Sequence, residues 1–179
     1  MSCSLIPRFV DMTSPVRSQV FLVVRVTVVV STFLLLWVCL ALWVRGYDPY
    51  FAIHIPLWLR IIGCVLAVAG GLLALSCILV FATKGHGTPA PFDPPRSFVI
   101  AGPYRYVRNP MYIGGIALIL GAGLTLDSFS IFLLAIIAFS GAHLFVVCYE
   151  EPKLTRLFGD RYLQYQSLVA RWLIRLPRR

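Results

Sequence analysis

The sequence predicts an all-α integral membrane protein: four transmembrane helices, the third and fourth forming a hairpin, followed by a C-terminal amphipathic interfacial helix. Three observations carry that expectation. Of 179 residues, 59% are hydrophobic and 13% charged, with a mean hydropathy of +0.85, whereas a soluble domain is nearer half apolar and a quarter charged. Four apolar stretches approach the roughly 20 residues needed to cross a bilayer. The 16 Lys and Arg outnumber the 7 Asp and Glu, and they alternate with the apolar stretches in a regular way. This composition excludes a disordered chain and disfavours a soluble cytosolic one. The net charge of +9 reads as a cytoplasmic membrane face, with no nucleic-acid partner.

Residues 1–19 form a cytoplasmic leader with Arg8 and Arg17, and translation starts at Met1 or Met12. Residues 20–83 hold the first two spans, at 20–44 and 57–82. The first is about twice the length of a signal-peptide core and lacks a small-residue cleavage site after it, so it reads as a retained helix. Residues 84–179 form the remaining unit: a loop, a helical hairpin at 111–126 and 128–149, and a tail. The hairpin turns at Asp127 between Thr125 and Ser128. Counting basic residues loop by loop gives two in the leader and Arg45 alone in the first loop, with Arg60 just inside the second helix. The second loop holds Lys84, Arg96, Arg105 and Arg108, the Asp127 turn none, and the tail seven. That alternation places both termini, the second loop and the tail in the cytoplasm. Arg25 lies about one turn inside the membrane and can snorkel.

Five cysteines, none in a CxxC pair, point to packing and to neither a disulfide framework nor a metal site. The second loop is too rich in Gly and Pro to be helical up to Arg96. It then gathers Tyr104, Tyr106, Arg105, Arg108 and Asn109 at the entrance of the third helix, with Pro110 suited to the first helical position and Asn109 to the N-cap. Free N–H groups at that entrance can hold a carboxylate or phosphate; a basic membrane-surface loop is the simpler alternative. The third helix carries Gly114, Gly115, Gly121 and Gly123, and Ala117 with Gly121 forms a small-xxx-small pair for close helix approach.

Glu150 and Glu151 are the only glutamates, placed where the fourth helix ends. Acids there oppose the helix dipole, so they either pair with the nearby arginines or bind a cation. On an α-helix, His143 lies two turns under Glu150, on a polar stripe with Ser140, though for His143 alone a packing role is the simpler reading. In the tail, Leu154, Phe158, Tyr162, Tyr165, Val169 and Trp172 share one face. Gly159 breaks the helical run there and Asp160 can cap a new one. The pattern suits interfacial attachment or a lid over a cytoplasmic site, with Tyr165 as interfacial packing.

Three segments, Gly102-Pro-Tyr-Arg-Tyr-Val-Arg-Asn-Pro-Met-Tyr-Ile-Gly-Gly115, Tyr149-Glu-Glu-Pro152 and Leu157-Phe-Gly-Asp-Arg-Tyr-Leu-Gln-Tyr165, together resemble the integral-membrane methyltransferases. That group holds the isoprenylcysteine carboxyl methyltransferases and the phospholipid N-methyltransferases. The resemblance spans about residues 96–177. It implies S-adenosyl-L-methionine bound at the cytoplasmic face by Arg96, Ser97, Phe98, Val99, Tyr104, Asn109, Pro110, Met111, Tyr112 and Glu150. Many relatives have a histidine in place of Asn109. Relatives specific for prenylcysteine have an arginine about one turn before the glutamate, where this chain has Leu144, Val146 and Val147.

The chemistry of the residues agrees with that implication. Glu150 or Glu151 can pair with the ammonium or sulfonium charge, and Tyr104, Tyr112 and Tyr149 can offer ring faces. Arg108 and the helix entrance can hold the carboxylate. An amine acceptor must lose a proton, which Glu150, or His143 through water, can take. Glu150, Arg108 and His143 are therefore the catalytic candidates. The expected reaction is methyl transfer to a lipophilic acceptor from the bilayer, such as an isoprenylcysteine carboxylate or a phospholipid amine. A membrane reductase using NADPH and a non-catalytic adaptor are the competing readings.

Overall fold

The computed structural model describes residues 14–81, 83 and 100–173, all of them helical or irregular, with no strand among the described residues. Helix α1 (Ser14–Arg45) is followed by the single turn α2 (Asp48–Phe51) and by α3 (Leu57–Val80). A 3₁₀ turn (Gly102–Arg105) leads into α4 (Pro110–Thr125), which turns sharply into α5 (Phe129–Phe145). A π-helical turn (Val146–Glu150) then carries the same rod into α6 (Glu151–Phe158), and α7 (Asp160–Leu168) comes after a break at Gly159.

Three helices are long and apolar enough to cross a membrane: Val23–Arg45, Leu57–Val80 and the compound rod Phe129–Phe158. The fourth apolar helix, α4, is shorter at 16 residues. At about 1.5 Å per residue α4 is roughly 24 Å long, less than the roughly 30 Å of a bilayer core.

The tightest packing in the fold joins α3 to α4. Gly63 and Gly70 lie seven residues apart on α3, and Gly114 and Gly121 lie seven apart on α4, so each pair occupies one helix face. A β-carbon added at Gly70 would sit 2.6 Å from the carbonyl oxygen of Gly114, and one at Gly63 would sit 2.9 Å from that of Gly121. Only bare backbone permits this approach, the usual way membrane helices gain dispersion contact without a solvent-driven force. Ala117 and Gly121 both face α3, as their spacing predicts, but the full contact also enlists Gly114. By contrast, α1 leans on α5 and keeps its large apolar side chains exposed, which suits a lipid-facing helix.

Polar clamps hold the end where α4 meets α5. Asp127, at φ 56°, accepts the Ile55 N–H at 2.6 Å, with His54 Nδ1 at 3.4 Å. Ser128 caps α5 by accepting the Ile131 N–H at 3.2 Å. Asp48 accepts the Ser130 N–H at 2.8 Å, and Arg60 Nε donates to the Thr125 carbonyl at 3.3 Å. The hairpin turn thus lies where the sequence predicts, with an acid that ties it to the loop before α3.

The tail differs from the expected lipid-facing amphipathic helix. Tyr162, Tyr165 and Val169 are buried, with Leu154 and Phe158 packed against them, so the apolar face turns into the protein. Gly159, at φ 55°, is itself the N-cap of α7, and Asp160 is its first helical residue, where a carboxylate favours the dipole. Tyr165, expected as interfacial packing, is 6% exposed and donates to the Tyr104 carbonyl at 2.6 Å. Val169 is extended, and the chain from there crosses the mouth of α4.

Candidate active site at the mouth of α4

The local sequence explains how the acids come to face α4. Pro152 has no N–H to give the carbonyl four residues back, so it cannot continue a regular α ladder. The Glu151 N–H reaches back five residues to Val146, and the rod takes one wide turn. Such a turn holds an extra residue, rotating the residues beyond it by about 100° relative to an uninterrupted helix. Two expectations change as a result. Glu151 lies inside the continuous rod Phe129–Phe158, its N–H already bonded to the Val146 carbonyl, so it does not end a helix. His143 also no longer lies directly beneath Glu150.

Glu151 is 8% exposed and paired on two sides. Arg171 grips it in bidentate fashion, Nε to Oε1 at 2.9 Å and Nη2 to Oε2 at 2.7 Å. Arg108 Nη1 lies 3.1 Å from Oε1. The bond to Glu151, only partly offset by burial, pushes the Arg171 pKa further above its ordinary value. Arg108 Nε is buried with no hydrogen-bond partner among the described residues.

Glu150 accepts a hydrogen bond from the Tyr112 phenol at 2.9 Å. Tyr112 lies in the first turn of α4, so this carboxylate sits against the helix entrance. Tyr104 is close enough for its phenol to feel both Cys77 and Glu150. Burial first, and those neighbours second, push its pKa well above the ordinary phenol value, so it stays neutral. Its ring meets Phe81 edge-on at 5.3 Å.

The segment after α7 closes over this mouth. The Arg108 N–H donates to the Ala170 carbonyl at 3.0 Å. Asn109, buried at the N-cap position, spends its side-chain amide on the Arg171 carbonyl at 3.2 Å, so it straps the tail and does not cap α4 by its side chain. The Trp172 indole donates to His143 Nδ1 at 3.0 Å, and its ring lies 6.5 Å from that of Tyr112 and 5.2 Å from that of Phe139.

The structure therefore brings Tyr104, Arg108, Asn109, Pro110, Tyr112, Glu150 and Glu151 to one helix mouth, with Met111 on the same turn and His143 reaching it through Trp172. Tyr149 is not part of it: its ring faces outward beside Phe145 and Lys153. Arg96, Ser97, Phe98 and Val99 lie outside the described residues. Sequence reasoning missed Arg171 and Trp172, because an arginine off the apolar stripe and a tryptophan on it look like ordinary interfacial residues.

A helical membrane fold with acids, phenols and guanidinium groups converging on the start of an apolar helix defines a class of membrane proteins with a polar site at a helix end. The family model of phospholipid methyltransferases matches residues 58–161, more than half of the chain, and the chain belongs to that family of membrane methyltransferases. No curated protein matches it.

Proposed function

We propose that the chain is an S-adenosyl-L-methionine-dependent methyltransferase acting on a lipophilic acceptor. Its site opens at the cytoplasmic face of a four-span membrane protein with both termini inside. The loop-by-loop bias of basic residues supports that orientation. The observation that carries the reading is the unequal state of the two acids. Glu151 is matched by two guanidinium groups, whereas Glu150 is bonded to a phenol and makes no ion pair with either guanidinium, which leaves it the acid open to a cationic ligand.

The residues suit the cofactor in chemistry. Glu150 meets its ammonium or sulfonium charge, Tyr112 and Tyr104 offer ring edges and faces, and the unpartnered Arg108 Nε and the N–H groups of α4 suit its carboxylate. When bound, the cofactor supplies a methyl group on a positively charged sulfur. Tyr112 fixes the Glu150 carboxylate, and Trp172 helps keep water from the mouth. An amine acceptor would first give its proton to Glu150, which frees the nitrogen lone pair to take the methyl group. A carboxylate acceptor, such as an isoprenylcysteine, needs no base. The indole bond occupies His143 Nδ1 as an acceptor, which places the proton of the neutral ring on Nε2, so His143 positions Trp172. Catalysis is then mostly alignment and electrostatics.

Calorimetry with S-adenosylhomocysteine on the detergent-solubilised protein tests the reading. The ligand is expected to bind, and Glu150→Gln to weaken it by about 10- to 100-fold, the value of a charged contact. Unchanged affinity in that variant, or heat from NADPH with none from S-adenosylhomocysteine, overturns it. Mass spectrometry of lipids incubated with labelled cofactor then identifies the acceptor.

A further inference from the structure

A groove of about 380 Å3 lies on the rod α5–α6, apart from the helix mouth. It is lined by Cys148, Tyr149, Pro152, Lys153, Arg156 and Leu157. Its charged lining is two cations one turn apart; Glu150, which faces α4, is close enough to feel the Lys153 charge but is not part of the lining. The Lys153 ammonium stands 5.2 Å above the Tyr149 ring and 3.4 Å from its hydroxyl, while Arg156 is exposed. The Tyr149 ring lies tilted against that of Phe145, centroids 5.1 Å apart, and Leu157 is exposed in the same groove. The groove is thus cationic at its rim and apolar toward α5.

Its depth in the bilayer comes from helix arithmetic. The rod begins at Phe129, next to the polar clamps of Asp127 and Ser128. At about 1.5 Å per residue, some 20 residues from Phe129 cross a hydrocarbon layer of about 30 Å, which brings the chain to about Cys148. The groove residues come immediately after, at headgroup level. Guanidinium and ammonium groups there match a phosphate diester, and the apolar strip below them matches acyl chains.

We propose that this groove seats the phosphate of an anionic membrane phospholipid, on a site separate from the one that binds the cofactor. Lys153 and Arg156 grip the phosphate, Tyr149 holds Lys153 in place, and Leu157 and Phe145 flank the chains.

Native mass spectrometry of the full chain, in micelles doped equally with phosphatidylglycerol and phosphatidylcholine, tests this. A retained phosphatidylglycerol is expected, favoured over phosphatidylcholine. The double variant Lys153→Gln/Arg156→Gln is expected to lose it by roughly thirtyfold, about 1 kcal/mol per basic side chain, with helical content unchanged. Arg105→Gln/Arg161→Gln, which removes the same charge from other exposed positions, is expected to retain it. Equal retention of the two lipids, or retention by the Lys153/Arg156 variant, overturns the proposal. So does equal loss in the control variant, which reports net charge, or displacement by millimolar inorganic phosphate, which reports a free-anion site.

Discussion

Replacing Glu151 by glutamine keeps the side chain's size and removes the charge that two guanidinium groups share. In the parent, Arg171 makes bonds of 2.9 and 2.7 Å to that carboxylate, and Arg108 lies 3.1 Å away. Breaking a buried ion pair by removing one partner costs about 3–5 kcal/mol. Arg108 is 12% exposed and feels that cost nearly in full, while Arg171, at 32%, recovers part of its hydration. A loss of about 3 kcal/mol is therefore expected. At about 2–4 °C per kcal/mol for a chain of this size, the thermal midpoint should fall by about 6–12 °C. Arg171→Gln leaves Glu151 paired with Arg108, and its expected cost is about half as large. Thermal melts in one detergent, monitored by tryptophan emission, read both variants and their double mutant. Trp172, one of four tryptophans, sits one residue past Arg171 and carries the strap's share of that signal. Midpoints within a degree of the parent for both single variants, or costs that simply add in the double mutant, would show that the triad does not fasten the tail to α4.

Gly70→Val should cost at least about 3 kcal/mol and leave little monodisperse protein, because its β-carbon falls 2.6 Å from the Gly114 carbonyl. Gly115→Ala, with no atom within 4 Å of the new carbon, should be neutral or stabilising by up to about 1 kcal/mol, and equal behaviour of the two would dismiss the close-approach argument. Tyr165→Phe should lower the midpoint by about 2–4 °C, for one hydrogen bond of about 1 kcal/mol, with no change if the Tyr104 carbonyl finds another donor. The Ile55 N–H, ahead of His54, holds the Asp127 pKa below the ordinary carboxylate value. The clamp it makes is thus complete at neutral pH and is lost only as pH falls through that lowered value. The protection of the Ile55 amide, corrected for the intrinsic pH dependence of exchange, should be the same at pH 7 and pH 5 and be lost only in stronger acid; protection already lost at pH 5 would refute the clamp.

Apolar runs, turn residues and small-residue spacing are local properties, so the order of the long helices, the hairpin at Asp127 and the close-approach face of α4 were legible in the sequence, though not that α3 is its partner. The helix-mouth cluster was legible too, since its members announce themselves by type: two acids, a Pro110 start, and phenols spaced around it. What the sequence hid was pairing across distance. That Glu151 takes both arginines and Glu150 takes Tyr112 depends on one wide turn, and its cause, Pro152, reads in isolation as a helix stop. The tail misled for a related reason: Leu154 to Trp172 show the same stripe whether it meets lipid or protein, and only the fold shows Tyr165 buried against the loop before α4.

The wide turn at Val146–Glu150 carries a consequence for how such chains vary. Substitutions there alter one side chain, but deletion of a single residue would restore even winding and swing everything beyond it by about a third of a revolution. Both carboxylates, the basic groove and the closing strap would lose their partners at once. Among natural variants, this stretch should accept changes of letter and refuse changes of length.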